Sequence, residues 1–124
     1  MSVRPPLLTE YELGRCLAGI EAVERLGKPL AEVGGKATTI EEAERLRREL
    51  RAFARRSGAS SAKPYVTRAE DGWTTFGFYV QPWTLDAMAF IEERGGSLDE
   101  HLHWIQGLLF GYRPEAIGKF LRRR

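Results

Sequence analysis

Six arginines and a single glutamate fall within residues 45–56. At about 100° per helical residue, Arg47, Arg48, Arg51 and Arg55 lie opposite Leu46, Leu50 and Phe53. Guanidinium groups repeated at about one helical turn can meet successive phosphates, or the carboxylates of an acidic protein surface. The same row also suits a plain solvated helix face with intrahelical pairs, because Arg is a good helix former. A second constellation is Arg68, Trp73 and Tyr79, which alternation places on one side of a β-hairpin. Flat aromatics interleaved with Arg serve base stacking or a protein hot spot equally, unless helices cover that face.

Catalytic patterns are thin. His101-Leu102-His103 would form a metal pair on a strand, but on a helix two residues apart means about 200°, so the imidazoles cannot share one ion. The single Cys16 rules out an internal disulfide framework and a cysteine zinc cluster, and its place behind a helical apolar stripe marks it as packing. Glu24, near the inward stripe of the first helix, is a candidate acid/base partner for His101. Near a helix end it reads equally as a rim residue whose head reaches water. The sequence contains no Gly-x-Ser-x-Gly elbow, Walker loop, Gly-x-Gly-x-x-Gly or His-Glu-x-x-His. The expectation is a protein without catalysis, metal or cofactor, with a small enzyme built on Glu24 and His101 as the remote alternative.

These side chains need elements to hold them. Thr9-Glu10-Tyr11-Glu12 is a capping box opening a helix with Leu13, Leu17 and Ile20 as its stripe, stopped by Gly27 and Pro29. Residues 30–36 read as a looser stretch with Gly34-Gly35 as hinge or turn. Thr39, with Glu42 three residues on, opens the arginine-bearing helix, whose inward stripe is Ala43, Leu46, Leu50 and Phe53; Gly58 ends it. Glu41 with Arg45 and Glu44 with Arg48 are i,i+4 pairs in the favourable orientation. The period then changes to two. Residues 65–69 and 73–80 are joined across Asp71-Gly72, a type I′ hairpin signal that sets Thr67 opposite Phe76 and Tyr65 opposite Phe78. Thr84 is placed as the cap of a third helix with Leu85 and Met88. Ser97-Leu-Asp-Glu100 opens a fourth with Leu98, Leu102, Ile105 and Leu109, and Pro114 starts a short fifth.

The fold expected is α+β: one two-stranded antiparallel hairpin packed against about five helices, in the order ααββααα. The 124 residues make one domain, 1–124, with residues 1–8 and 122–124 as flexible ends. No apolar run reaches the ~18–20 residues of a membrane helix, and the start lacks a signal-peptide layout, so a cytoplasmic location is expected. The net charge of +2 hides segregation. Residues 83–112 carry one Arg against five carboxylates, and the last twelve residues carry five basic groups against Glu115. Such local fields choose partners where the global charge does not. The function expected is a small regulatory or inhibitory interaction domain. It binds an acidic protein surface through the arginine row, with nucleic acid as the alternative partner.

Overall fold

The computed structural model describes residues 5–93. Its elements are α1 (Glu10–Glu24), β1 (Leu30–Ala37), α2 (Ile40–Arg56), β2 (Lys63–Arg68), β3 (Trp73–Tyr79) and α3 (Trp83–Glu93). The three strands form one antiparallel sheet in the order β1-β3-β2. β1 and β2, joined through α2, therefore run parallel on either side of β3, which makes a split β-α-β unit. The domain is α+β, but the two-stranded hairpin with five helices is not what forms. A third strand comes from the stretch read as a hinge, and the order among the described residues is αβαββα. The sequence-predicted helices beginning near Ser97 and Pro114 lie outside the described residues, as do His101, His103 and the three terminal arginines.

Both capping boxes form as read. Thr9 Oγ1 accepts from the Glu12 amide at 3.1 Å and Glu12 accepts from Thr9 N–H at 3.0 Å; Thr39 and Glu42 repeat the exchange at 3.1 and 2.9 Å. Cys16, Ile20 and Val23 of α1 and Leu46, Leu50 and Ala54 of α2 meet Val33, Phe76 and Phe78 in one buried cluster. Both helices therefore lie on the same face of the sheet. Burial of Phe76, Phe78, Leu46 and Leu50 removes each from water almost completely, at roughly 1.5–3 kcal/mol per side chain.

The hairpin closes one residue off the predicted register. Ala69 N–H donates to Trp73 O at 2.8 Å and Gly72 N–H to Ala69 O at 2.9 Å, so Glu70, Asp71 and Gly72 form a three-residue loop. Only Gly72 takes a positive φ, +92°, whereas a type I′ turn would need Asp71 there too. Val66 thus opposes Phe76, and Arg68 opposes Thr74. A one-residue slip exchanges the faces of a whole strand. Val66 and Arg68 turn toward the helices, while Tyr65 and Thr67 join Trp73 and Tyr79 on the other face. There the ring of Tyr65 lies over Gly77 and the indole of Trp73 over Gly35, two positions where a Cβ would collide with the aromatic ring.

Candidate functional site

The arginines of the described region divide by what their guanidinium groups touch, apart from Arg25, which is exposed at the C-cap of α1. Arg15 Nε donates to Val33 O at 2.6 Å, Arg47 Nη2 to Val66 O at 3.2 Å, Arg68 Nε to Thr38 O at 2.8 Å and Arg45 Nη2 to Pro5 O at 3.3 Å. Each of these four fastens its own element to backbone elsewhere in the chain. Arg56 stacks over Phe53, 6.0 Å from the ring centre. Arg48, Arg51 and Arg55 form the second group. All three are exposed, and among the described residues they make no hydrogen bond or ion pair. They follow one another at intervals of three and four on the side of α2 away from Leu46 and Leu50, spanning about 10 Å of helix.

What holds this row in place is a set of polar ties around α2. At its start, Thr38 N–H donates to Gly72 O at 2.9 Å, and the Thr38 and Thr74 hydroxyls share a buried 2.6 Å hydrogen bond. Arg68 adds its bond to Thr38 O, so the end of β1, the hairpin loop and the first turn of α2 are tied at one corner. Along its flank, Glu49 accepts from Leu7 N–H and Leu8 N–H at 3.0 and 3.1 Å, drawing residues 7–8 onto the helix. Its carboxylate also lies 3.6 Å from Arg45. This pairing takes Arg45 toward Glu49 rather than toward Glu41, the partner that sequence spacing indicates.

The predicted partner-binding residues do not form one surface. Arg48, Arg51 and Arg55 point away from the sheet. Arg47 lies at the border of the row, about 100° from Leu46, and is spent on the edge of β2. Arg68 sits on the helix-facing side of β2, and Trp73 and Tyr79 sit on the far side of the sheet. A whole helix layer and the sheet therefore separate the row from the aromatics. Trp73 is 53% exposed, and Tyr79 is half-buried.

Glu24 is committed elsewhere. Its carboxylate accepts from the amides of Ser60, Ser61 and Ala62 at 3.0, 2.8 and 3.0 Å and from the Ser61 hydroxyl at 3.0 Å. The Ser61 and Ala62 amides, with lesser help from the Ser61 hydroxyl and the Ser60 amide, hold this carboxyl below the usual range. It organises the α2–β2 loop as a fixed anion. Burial pushes the Cys16 thiol up to about 12, with the nearby Glu12 charge adding to the effect, so the thiol is protonated at neutral pH. Among the described residues, no group of three or more His, Cys, Asp or Glu side chains is arranged to hold a metal ion.

Two further groups were not legible from spacing. Lys36 Nζ bridges Glu12 and the Leu7 carbonyl, both at 2.6 Å, tying β1 to the start of α1. Burial pushes the Glu12 carboxyl up, but the Lys36 hydrogen bond and charge and the Thr9 amide outweigh it and leave it lowered. Glu32, which retains contact with solvent beside Arg15, is pushed up by partial burial against the pull of that arginine. No protein-family model, curated protein or solved structure matches this chain.

Proposed function

We propose that this is a non-catalytic interaction domain that docks an acidic protein surface on Arg48, Arg51 and Arg55. One observation carries the reading: among the described residues four arginines hydrogen-bond backbone elsewhere in the fold, while Arg48, Arg51 and Arg55 stand together on one well-anchored helix, exposed and without a hydrogen bond or ion pair. Three guanidinium forks at helical spacing match carboxylates presented at i,i+3 or i,i+4 on a partner helix. Because α2 is already formed, little conformational entropy is lost on docking apart from that of the side chains themselves.

Nucleic acid fits this placement less well. Stacking on Trp73 and Tyr79 cannot be combined with phosphate contacts to the row, since the two lie on opposite sides of the domain. Phosphate binding would rest on three arginines, with Glu41 and Glu44 exposed on the same helix.

The test uses the full chain, titrated by calorimetry with an octa-aspartate peptide and with a 20-nucleotide single strand at ~50 mM salt, where non-specific phosphate affinity is greatest. Binding of the peptide, lost in Arg48→Glu/Arg51→Glu/Arg55→Glu, supports the reading. Tighter binding of the oligonucleotide, or peptide binding unchanged in the triple variant, overturns it.

A further inference from the structure

The two edges of the sheet are finished differently. β2 carries Pro64, which offers no N–H, and Arg47 covers its Val66 carbonyl. β1 contains no proline, and no described segment pairs with its outer side. Instead α1 runs alongside and leaves a groove over the strand edge, made of two adjoining cavities of about 500 and 410 Å³. Arg15 lines both. Small residues set the depth: Gly19, Ala18 and Ala22 on the helix wall, and Ala31 and Gly34 on the strand.

We propose that this groove accepts an extended acidic peptide segment, which adds to the sheet as a fourth strand on the edge of β1. An edge strand turns the N–H and C=O of alternate residues outward, and a helix alongside gives an added strand a second wall. At about 3.3 Å per residue the eight residues of β1 offer about 26 Å of edge. The bulge at Val33 divides this length, and Arg15 already donates Nε to the Val33 carbonyl at that point. Its guanidinium also lies over the Tyr11 ring and beside Glu32, and its other N–H groups, which make no hydrogen bond among the described residues, can meet a carboxylate on the incoming segment.

Charge selects the class. Among the described residues that line the groove, Lys36 pairs with Glu12, and Arg15 and Lys28 remain against Glu32. This surface is separate from the α2 row, and the proposal does not depend on it.

The experiment measures fluorescence anisotropy of a labelled alternating Glu-Val octapeptide against the full chain, with a Lys-Val octapeptide as control. Amide exchange across residues 30–37 is followed in the same samples. The expected result is saturable binding of the Glu-Val peptide, at least tenfold tighter than Lys-Val, with slowed exchange in β1. Ala18→Trp, an exposed position on the groove wall, should weaken binding at least tenfold without changing the melting temperature. Arg51→Glu should leave binding intact. No saturable binding, binding without slowed β1 exchange, or equal affinity for the two peptides overturns the proposal. So does binding that survives Ala18→Trp but falls with Arg51→Glu, which would assign the peptide to α2.

Discussion

Replacing Gly77 with alanine tests whether residues 30–37 belong to the sheet as its third strand. Gly77 lies on the central strand between Glu32 of β1 and Tyr65 of β2. A Cβ there would overlap the Ala31 carbonyl oxygen. It would also stand 2.9 Å from Tyr65 Cε1 and 3.0 Å from the Ala31 carbonyl carbon. The intrusion is met from both sides, so β3 cannot relieve one contact by moving toward the other. Either β1 separates over Leu30–Glu32, losing ladder bonds of ~0.5–1.5 kcal/mol each, or the Tyr65 ring leaves its seat. Overpacking of this kind costs ~1–3 kcal/mol by itself. Together the loss should be about 3–5 kcal/mol, a large part of the ~5–15 kcal/mol that stabilises an ordinary domain. Urea unfolding of the full chain, followed by far-UV circular dichroism, measures it. Gly14→Ala is the matched control: a Cβ there meets nothing within 4 Å on an exposed helix position, so it should stabilise by about 0.5–1 kcal/mol. If Gly77→Ala unfolds within 0.5 kcal/mol of the parent, β1 does not pair with β3 as described and the sheet assignment fails.

Other consequences follow from the same contacts. Arg51→Glu should leave the unfolding midpoint nearly unchanged, whereas Arg47→Ala and Arg68→Ala should each destabilise by ~1 kcal/mol through loss of a charged donor to a backbone carbonyl; chemical denaturation separates the two classes. Glu12, Glu24 and Glu42 all have folded-state carboxyl pKa values below the ordinary range. The stability they contribute is present above their unfolded pKa and is lost as pH falls through the folded values. Glu24→Gln should therefore destabilise at neutral pH and flatten the acid limb of a stability–pH profile, and amide exchange of Ser60–Ala62 should accelerate. An unchanged acid limb would contradict this. Cys16, wholly buried with its thiol at about 12, should react with a thiol reagent in the folded protein only at the rate of opening, and freely in 8 M urea, with ~8 M taken as fully denaturing.

The parts of the fold legible in the sequence are those fixed by local chemistry. Thr9 with Glu12 and Thr39 with Glu42 announce two helix starts, because a capping box satisfies amides within four residues of chain. The inward stripe of α2 is legible for the same reason, since Ala43, Leu46 and Leu50 repeat at the helical period and are buried together. β1 is not legible. Leu-Ala-Glu-Val-Gly-Gly-Lys-Ala has two glycines, and the bulge between Glu32 and Gly34 breaks the alternation that marks a strand. Its strand character comes from pairing with β3, a partner some forty residues away. Leu30 and Val33, each 1% exposed, are the local hint.

The hairpin was legible as a hairpin, yet its register depends on whether two or three residues turn the chain, and Asp-Gly occurs in both kinds of loop. That single residue decides the side of Arg68, which moves from beside Trp73 to Thr38. For the arginine row, the helical wheel separates Arg48, Arg51 and Arg55 from the core. It does not reveal that Arg47, on the border, would reach a β2 carbonyl, because that carbonyl belongs to a strand 19 residues further on.

Arg47 and Arg68 are bonded to backbone carbonyls, whereas Arg48, Arg51 and Arg55 are exposed and, among the described residues, unbonded. Nitrogen–proton correlation spectra of the arginine Nε groups during titration with octa-aspartate test this difference residue by residue. Arg48, Arg51 and Arg55 should shift together and saturate, while Arg47 and Arg68, held on Val66 O and Thr38 O, stay in place. Shifts centred on Arg47 and Arg68, with Arg51 unmoved, would contradict this.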